Sequence, residues 1–342
     1  MELIDLRSDT LTKPTQEMRQ AMYDAELGDD CYGEDPTVRA LEELAAGMAG
    51  KAAALYVTSG TQGNQLAVMV HSRRGSEVVC EASAHIVGNE SGGIAALSGA
   101  QTRTIEAPYG KLTPALVAPY IEPRKSNCPG ASLLAVENTH NAAGGVCYTP
   151  DEMAALHALA QEHGVPVHVD GARIFNAAVA QGVTLDALAR HAESMQICLS
   201  KGLCAPVGSI LVGDAGFIDE ARRYRRLLGG GLRQAGVIAA AGIVALKCMV
   251  ARLVEDHAHA RLLAEAIAGT RLQIDLATVQ TNIVRVGVGA LGIGAAEFVK
   301  RLREAGVLAN VSAPDAVRLV THHDVTRTQV EQAAAILRRL AA

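Results

Sequence analysis

The sequence predicts an α/β fold with a mostly parallel sheet in a large domain, followed by a smaller α+β domain at the C-terminus. The main observation is that two short apolar runs, 165–169 and 195–199, flank a stretch with helical spacing. A strand–helix–strand order favours two parallel strands in one sheet. The chain also has 33 glycines among 342 residues, and such small residues are typical of close packing between helices and a sheet.

The large domain is expected to cover residues 1–247 and the small domain residues 248–342. This boundary lies in an Ala-rich segment, 237–254, that is predicted to be one long helix. Further strands of the large domain are predicted at 52–57, 77–80, 132–136 and 209–212. The last of these should run antiparallel to its neighbours, because the turn before it is too short for a helical crossover.

The small domain is predicted from a change of pattern beyond the long helix. Helices are expected at 257–268, 295–305 and 328–340, and short strands near 272–276, 282–286 and 317–320.

Composition excludes several classes of protein. The formal net charge of −5 argues against nucleic acid as the main partner, because a phosphate-binding surface needs a basic excess. No apolar run reaches membrane length, and the early charges in 1–10 do not fit a signal peptide. The seven cysteines are scattered without metal-ligand spacing, so they are interpreted as reduced thiols of a cytoplasmic protein.

Two charged residues follow the central strands where those strands end. Asp170 comes directly after the first apolar run, and Lys201 comes just past the second. Ligands of open α/β sheets bind beyond the carboxyl ends of the strands, so both side chains should face one crevice. A structural ion pair is the alternative. Small residues after Lys201 favour a nucleophilic amine, and a Schiff-base lysine paired with an aspartate is typical of pyridoxal phosphate chemistry.

Two more strand ends carry candidate ligand-binding residues. Gly60 and Thr61 lie between the strand at 52–57 and a helix, and such a junction can bind an anion through free backbone N–H groups. The alternative is that the hydroxyl residues here only cap the helix. His85 follows the strand at 77–80, where it can be a structural residue or can serve in ring stacking or acid–base chemistry.

Arginines supply the remaining candidates. Arg233 follows three glycines, which allow close backbone approach, and a phosphate is a plausible partner for it. Arg318 lies inside an apolar run and must therefore be paired, either in an internal salt bridge or with a substrate carboxylate. A third group is expected to form a solvated or subunit-contacting helix face, namely Arg222, Arg223, Arg225 and Arg226.

Taken together, these residues resemble those of the threonine aldolases, a family of fold-type-I pyridoxal phosphate enzymes whose large domain is like that of aspartate aminotransferase. The resemblance runs nearly end to end. The segments that carry it are DLRSDT (5–10), GDD (28–30), YG (32–33), SGT (59–61), ENTHN (137–141), HVDGAR (168–173), LSKG (199–202) and GGG with Arg233 (229–233).

The resemblance implies a role for each candidate around the cofactor. Lys201 would bind pyridoxal phosphate covalently, Asp170 would hold the pyridine nitrogen and His85 would stack on the ring. Gly60 and Thr61 would bind the phosphate, with Arg233 reaching it from a neighbouring subunit.

The resemblance also implies how the substrate is bound. Ser8, Arg173 and Arg318 would bind the carboxylate of an amino acid, and Tyr32 would come from the partner chain. The assembly would be a homotetramer, a dimer of dimers with shared active sites, and no metal is required. The implied reaction is cleavage of L-threonine or L-allo-threonine to glycine and acetaldehyde.

One position departs from the family pattern, which has a second histidine where this chain has Asn127. Asparagine cannot act as a general base, so either His85 takes this role, directly or through water, or the substrate preference differs. Other possible functions are a second lyase or a racemase on the same scaffold, acting on a bulkier or β-substituted amino acid. A cofactor-binding regulator without activity is disfavoured by the intact set of Lys201, Asp170 and Arg173.

Overall fold

The computed structural model describes residues 3–122 and 124–342. The strands are β1 (Ile4–Asp5), β2 (Ala53–Val57), β3 (Glu77–Glu81), β4 (Gln101–Ile105), β5 (Ala131–Glu137), β6 (Val167–Gly171), β7 (Ser194–Cys198), β8 (Ser209–Gly213), β9 (Ile283–Gly287), β10 (Val307–Leu308), β11 (Asn310–Ala313) and β12 (Ala316–Val320).

The α-helices are α1 (Gln16–Tyr23), α2 (Pro36–Ala49), α3 (Gly60–His71), α4 (His85–Gly88), α5 (Pro114–Val117), α6 (Pro150–Glu162), α7 (Ile174–Gln181), α8 (Leu185–Ala189), α9 (Ala215–Leu227), α10 (Gly236–Val244), α11 (Leu253–Ile267), α12 (Ala295–Glu304) and α13 (Arg327–Ala341).

The main sheet has seven strands in the order β2-β8-β7-β6-β5-β3-β4. Strands β4, β3, β5, β6 and β7 are parallel, whereas β8 runs antiparallel to both β7 and β2. This confirms the predicted α/β class and the predicted direction of β8. All residues of β3, β6, β7 and β8 are buried, as expected for strands with helices on both faces of the sheet.

The strand register sets the geometry of the site. Glu137 of β5 lies beside Asp170 of β6, which in turn lies beside Gln196 of β7. Three polar side chains therefore share one row near the carboxyl ends of the parallel strands. Helix α6 returns the chain from β5 to β6, and it begins with a capping box in which Thr149 and Glu152 satisfy each other's backbone N–H groups.

A second sheet, in the order β11-β12-β9, is antiparallel and packs with a second apolar core. This core contains Phe298 and Leu337 from the C-terminal helices and also Ile4 and Leu6 from the start of the chain. The reason is that β1 pairs in parallel with β10. The N-terminal strand thus packs with the C-terminal part of the chain, and the domain boundary near residue 247 stays a prediction.

The Ala-rich segment is not one straight helix. Helix α10 continues as a π-helical turn at Ala245–Met249, and α11 then begins at Leu253 with a bend of 67° between the two parts. A π-turn inserts an extra residue into the helical repeat, and it leaves no mark on apolar periodicity. The strand expected at 272–276 is also wrong. Gln273 makes an isolated bridge to Gly287, and the chain then turns at Leu276–Thr278, capped by Asp275.

Strand β4 was not predicted, because it lies at an edge of the sheet and four of its five residues are exposed. Among the described residues, no single helix has both the length and the apolar composition needed to cross a membrane; one bent pair, 236–249 with 253–267, meets these criteria by length and composition alone.

The arginine-rich face of α9 is a correction to the sequence analysis, because Arg225 is not solvated. It continues the buried stripe of Ile218 and Ala221, seven and four residues before it. Its guanidinium donates to the backbone oxygen of Tyr56 at 2.6 Å and to Asp30 at 2.6 Å. The arginine thus connects α9, the main sheet and the loop that precedes α2.

We expect Arg225→Ala to lower the free energy of unfolding by about 3 to 5 kcal/mol, because it leaves the buried carboxylate of Asp30 without its partner. Arg223→Ala is the matched control, since the Arg223 side chain is 79% exposed on the same helix. The control should change stability by no more than about 0.5 kcal/mol. Urea unfolding of both variants checks this, and equal midpoints for the two would contradict it.

Candidate active site

The carboxyl ends of β6 and β7 bring Asp170 and Lys201 to the same edge of the sheet, as predicted. Lys201 lines a small cavity together with Arg173 and Cys198. Its backbone oxygen accepts a hydrogen bond from Thr12 at 2.8 Å, which ties the lysine loop to the N-terminal segment. The pKa of His85 is affected most by its hydrogen bond to Glu90, then by burial and by the charge of Asp170. The charge of Lys201 lowers this pKa by a smaller amount.

Asp170 is buried and accepts hydrogen bonds on both carboxylate oxygens. Oδ2 accepts from the Asn64 amide at 2.8 Å, and Oδ1 accepts from the backbone N–H of Ala172 at 3.1 Å. Both ends of the Gln196 side-chain amide have hydrogen-bond partners when its nitrogen faces Asp170 Oδ1, at 3.0 Å. A carboxylate offers about four lone-pair sites, so one acceptor position remains for a ligand.

His85 begins α4 and is fixed by two glutamates. Its backbone N–H donates to Glu137 at 2.6 Å, and its Nδ1 lies 2.9 Å from Glu90 Oε1. The hydrogen bond to Glu90 raises the pKa of His85, and the charges of Asp170 and Glu90 act in the same direction against burial. Ligand-type atoms of His85, Glu90 and Asp170 all lie within 4.8 Å of one another. The imidazole is therefore held close to the carboxylate of Asp170.

Helix α3 begins at Gly60 next to the end of β7. A Cβ atom at Gly60 would lie 2.8 Å from the sulfur of Cys198, so only glycine allows this approach. Ser59 caps the helix by accepting from the N–H of Gln62 at 3.1 Å. No partner is recorded among the described residues for the N–H groups of Gly60 and Thr61. Ser59 therefore caps the helix, and the N–H groups of Gly60 and Thr61 remain available to bind an anion.

Arg173 is buried and held by Asp9. Its Nε and Nη2 donate to the two oxygens of Asp9, each at 2.7 Å, and its Nη1 donates to Asn141 at 3.2 Å. Burial alone would raise the pKa of Asp9, but the Arg173 charge and hydrogen bonds hold it well below its usual range, with the Lys201 charge and Asn282 adding to the effect. The ion pair leaves Arg173 with one nitrogen directed toward Asn141.

Arg318 approaches the same asparagine from β12. Its Nη1 donates to Asn141 Oδ1 at 2.9 Å, and its buried Nε has no partner among the described atoms. Burial, and then the charge of Arg173, lowers the pKa of Arg318. No salt bridge to Arg318 occurs in the described part of the chain, so the internal-salt-bridge interpretation fails. Arg318 and Asn141 line a cavity of about 370 Å³ that can admit a carboxylate.

Ser8 lies beside this arginine pair but bonds locally. Its hydroxyl accepts from the backbone N–H of Thr10 at 3.2 Å and so caps the short turn that contains Asp9. Ser8 thus fixes the segment that supplies the partner of Arg173.

Tyr32 and Arg233 lie on adjoining loops outside this cluster. The N–H of Asp30 donates to the backbone oxygen of Arg233 at 3.0 Å, and the Arg233 side chain reaches Asp29 at 3.3 Å. Tyr32 is 77% exposed. The described contacts connect neither side chain to Asp170 or Lys201. Asn127, at the position of the absent histidine, is exposed in the turn between Lys125 and Cys128.

Several polar residues of the site were not among the sequence-predicted candidates, namely Asp9, Asn64, Glu90, Asn141 and Gln196. Asp9 and Asn141 lie in the segments that carry the family resemblance, so the sequence already marks them as possible site residues. Asn64 is buried in the polar first half of α3, beside Gln62 and Gln65, where the sequence does not distinguish it from its neighbours. Nothing in the local pattern around Glu90 indicated its role.

Comparisons with known proteins identify the family of the chain. Residues 5–289 match the family model described as beta-eliminating lyase. The chain is 44% identical over 336 residues to the low specificity L-threonine aldolase of Escherichia coli K12, covering 97% of this chain and 98% of that one. It is 44% identical over 334 residues to the probable low-specificity L-threonine aldolase 2 of Arabidopsis thaliana, covering 96% and 94% respectively.

Solved structures confirm the predicted fold class. The Leishmania major threonine aldolase superposes with a TM-score of 0.86 at 20% identity, covering 99% of this chain and 100% of that chain. A Thermus thermophilus aspartate aminotransferase variant superposes with a TM-score of 0.78 at 16% identity, covering 99% and 92%. These two likenesses bear on the fold, whereas the sequence matches at 44% identity identify the family. The chain belongs to the beta-eliminating lyase family and, within it, to the threonine aldolases.

Proposed function

We propose that this chain cleaves L-threonine and L-allo-threonine to glycine and acetaldehyde by breaking the Cα–Cβ bond, with pyridoxal phosphate as its cofactor. The observation that carries this proposal is the convergence of Arg173 and Arg318 on Asn141, beside the strand ends that hold Asp170 and Lys201. Two guanidinium groups at one point fit the carboxylate of an amino acid. The remaining part of the proposed substrate, the threonine side chain, is inferred from the names of the relatives.

The residues at the strand ends fit the cofactor. Asp170 retains an acceptor position for a protonated pyridine nitrogen, and the first turn of α3 retains N–H groups for a phosphate. Lys201 supplies the amine to which the cofactor binds covalently, and the His85 ring lies near Asp170. When bound, pyridoxal phosphate supplies an electron sink for the electron pair released as the Cα–Cβ bond breaks.

The arginine pair determines which substrate bond is cleaved. With the carboxylate held by Arg173 and Arg318, rotation of the substrate about the bond between its nitrogen and Cα would be restricted, so these two arginines would decide which bond at Cα is held in the reactive orientation. Asp9 keeps Arg173 in position for this task. The selection of cleavage over transamination or decarboxylation is then positional control by the protein.

His85 is proposed as the group that takes the proton from the β-hydroxyl. It lies next to Asp170, and its side chain is partly accessible. Asn127 cannot serve as a base, and its exposed turn makes no recorded contact with the cluster around His85 within the described residues. The same imidazole would also stack on the cofactor ring.

The active assembly is proposed to be a cytoplasmic homotetramer, a dimer of dimers, in which Tyr32 and Arg233 complete the site of a neighbouring subunit. The exposure of both side chains in the single chain supports this proposal. The buried Arg225–Asp30 pair holds the loop of Tyr32 in place, and the N–H of Asp30 connects that loop to the loop of Arg233.

The activity is tested by aldehyde release from the purified, cofactor-loaded protein, with L-threonine, L-allo-threonine and the two D isomers side by side. We expect release from both L isomers and none from the D isomers. Formation of pyruvate and ammonia would instead identify a β-eliminating enzyme, and inversion without cleavage would identify a racemase. No product from any of the four would refute threonine cleavage and favour a bulkier substrate.

Arg318→Lys should raise the KM for L-threonine about tenfold or more, with a smaller change in kcat, because lysine cannot reproduce the planar donor geometry of arginine. Arg327→Lys is the control, since the Arg327 side chain is 75% exposed on α13 and does not line this cavity. Steady-state kinetics of both variants check this. An equal KM for the two variants would show that Arg318 does not bind the substrate carboxylate.

The pH dependence of kcat/KM tests His85. A base must be deprotonated, and Glu90 raises the pKa of His85, so the acidic limb of the profile should lie above the ordinary histidine range. Glu90→Gln removes the charge and should move this limb to lower pH. Glu220→Gln, at an exposed pair with Arg223, is the control. A limb that does not move in Glu90→Gln would exclude His85 as the base.

A further inference from the structure

A continuous series of hydrogen bonds runs between helix α3 and the main sheet and ends at Asp170. His71 Nε2 lies 2.9 Å from Ser194 Oγ, and Ser194 Oγ lies 2.9 Å from His168 Nδ1. His168 Nε2 lies 3.1 Å from Asn64 Oδ1, and the Asn64 amide nitrogen reaches Asp170 at 2.8 Å. Ser194 and His168 are fully buried, and Asn64 is 1% exposed.

The carboxylates fix the orientation of Asn64. Its amide nitrogen contacts Asp170 Oδ2 at 2.8 Å and Glu90 Oε1 at 2.7 Å. Ionised carboxylates only accept hydrogen bonds, so this atom must be the nitrogen, and both of its hydrogens are used. The amide oxygen of Asn64 consequently faces His168.

The orientation of Asn64 in turn fixes the tautomer of His168. An amide oxygen only accepts, so Nε2 of His168 must carry a hydrogen. Burial lowers the pKa of His168 to about 3, so the ring is neutral and its Nδ1 is an acceptor. The hydroxyl of Ser194 must then donate to Nδ1. Because that hydrogen is committed, the remaining neighbour His71 must donate to the Ser194 oxygen.

All hydrogens in the series therefore point toward Asp170 and Glu90. The arrangement has a weak point at Ser194. If its hydroxyl is removed, Nδ1 of His168 loses its donor, and the buried ring keeps only the hydrogen bond from Nε2 to Asn64. The ring can then rotate away from Asn64, whose amide oxygen loses its donor. Asn64 would hold the carboxylate of Asp170 less firmly in its present orientation.

We propose that His168 is a positioning residue, held in one ring orientation by the hydroxyl of Ser194, and that by donating to Asn64 it steadies the carboxylate that binds the pyridine nitrogen of the cofactor. This inference rests on the proposed function, because it assumes that Asp170 contacts the cofactor. The residues lie on three elements, α3, β6 and β7, so the series also connects the two ends of α3 to the sheet.

The test is Ser194→Ala, with the cofactor dissociation constant measured by absorbance in the absence of substrate. We expect this constant to rise about fivefold to tenfold, the effect of one buried hydrogen-bond network losing its orientation. The kcat of the fully loaded enzyme should fall by a similar factor, while the KM for L-threonine stays unchanged, because the arginine pair is not touched.

Ser132→Ala is the matched control. Ser132 is also buried, two strands away on β5, and its hydroxyl bonds to Ser76 at 2.8 Å without contact to the series. This variant should lose stability like Ser194→Ala but keep the wild-type cofactor affinity. Equal cofactor affinity and equal kcat in the two variants would overturn the proposal.

A second pair of variants covers the case in which Ser194→Ala does not fold. The amide of glutamine in His168→Gln can still donate to Asn64, whereas the side chain of His168→Leu cannot. We expect the leucine variant to lose cofactor affinity and the glutamine variant to recover most of it. Equal losses in both would show that His168 only fills space.

The outcomes separate this inference from the proposed function. A wild-type protein that binds the cofactor but cleaves no threonine refutes the substrate assignment alone, since the cofactor affinities of the variants still report on His168. A wild-type protein that does not bind pyridoxal phosphate refutes both.

Discussion

The site depends on keeping the Asp170 carboxylate charged and oriented at the buried edge of a parallel sheet. The strand register places Glu137 and Gln196 on either side of it, so the nearest neighbours across the sheet are polar as well. A buried carboxylate is tolerated only with hydrogen-bond donors around it. Asn64, Gln196 and the N–H of Ala172 supply them. The polar residues Asn64 in α3 and Gln196 in β7 are therefore buried because they stabilise one charge, that of Asp170.

The second constraint is positive charge. Arg173 and Arg318 both donate to one oxygen of Asn141, and only Arg173 has a carboxylate partner among the described residues. Burial, and after it the charge of Arg173, lowers the pKa of Arg318, whereas the charge of Asp9 acts in the opposite direction. Two guanidinium groups that meet at one amide oxygen can both donate to a carboxylate. In the proposed function they would hold the carboxylate of the amino acid, the group that does not react.

The parts of the site that depend on strand ends could be predicted from the sequence. Asp170 and Lys201 end short apolar runs, and the rule that ligands bind beyond the carboxyl ends of strands places them together. Arg318 was identified because a charge inside an apolar run requires a partner. The family resemblance supplied Asp9 and Asn141 only as members of matched segments, without their contacts to the arginines.

The other contacts depend on tertiary geometry that no local pattern encodes. Glu90 lies among small residues without periodicity, and its contact with His85 exists only because α4 turns the chain back at the end of β3. In the sequence Arg225 resembles the arginines beside it, but its position on helix α9 directs its side chain into the interior. The bend between α10 and α11 lies at residues 250–252, between a π-turn and the start of α11, and no glycine or proline marks this break in the sequence.

The pairing of β1 with β10 has a consequence for how the chain is made. β1 precedes the whole main sheet in the chain, whereas its partner at Val307–Leu308 follows that sheet. Val320 also donates its N–H to the backbone oxygen of Leu6, so β12 closes over the same segment. Until these later strands have been synthesised, Ile4 and Leu6 have no core to enter, and Asp9 is not held against Arg173 by its own segment. The main sheet can therefore fold before the second core exists, whereas the segment that carries Asp9 is fixed only after residues 307–320 have been synthesised.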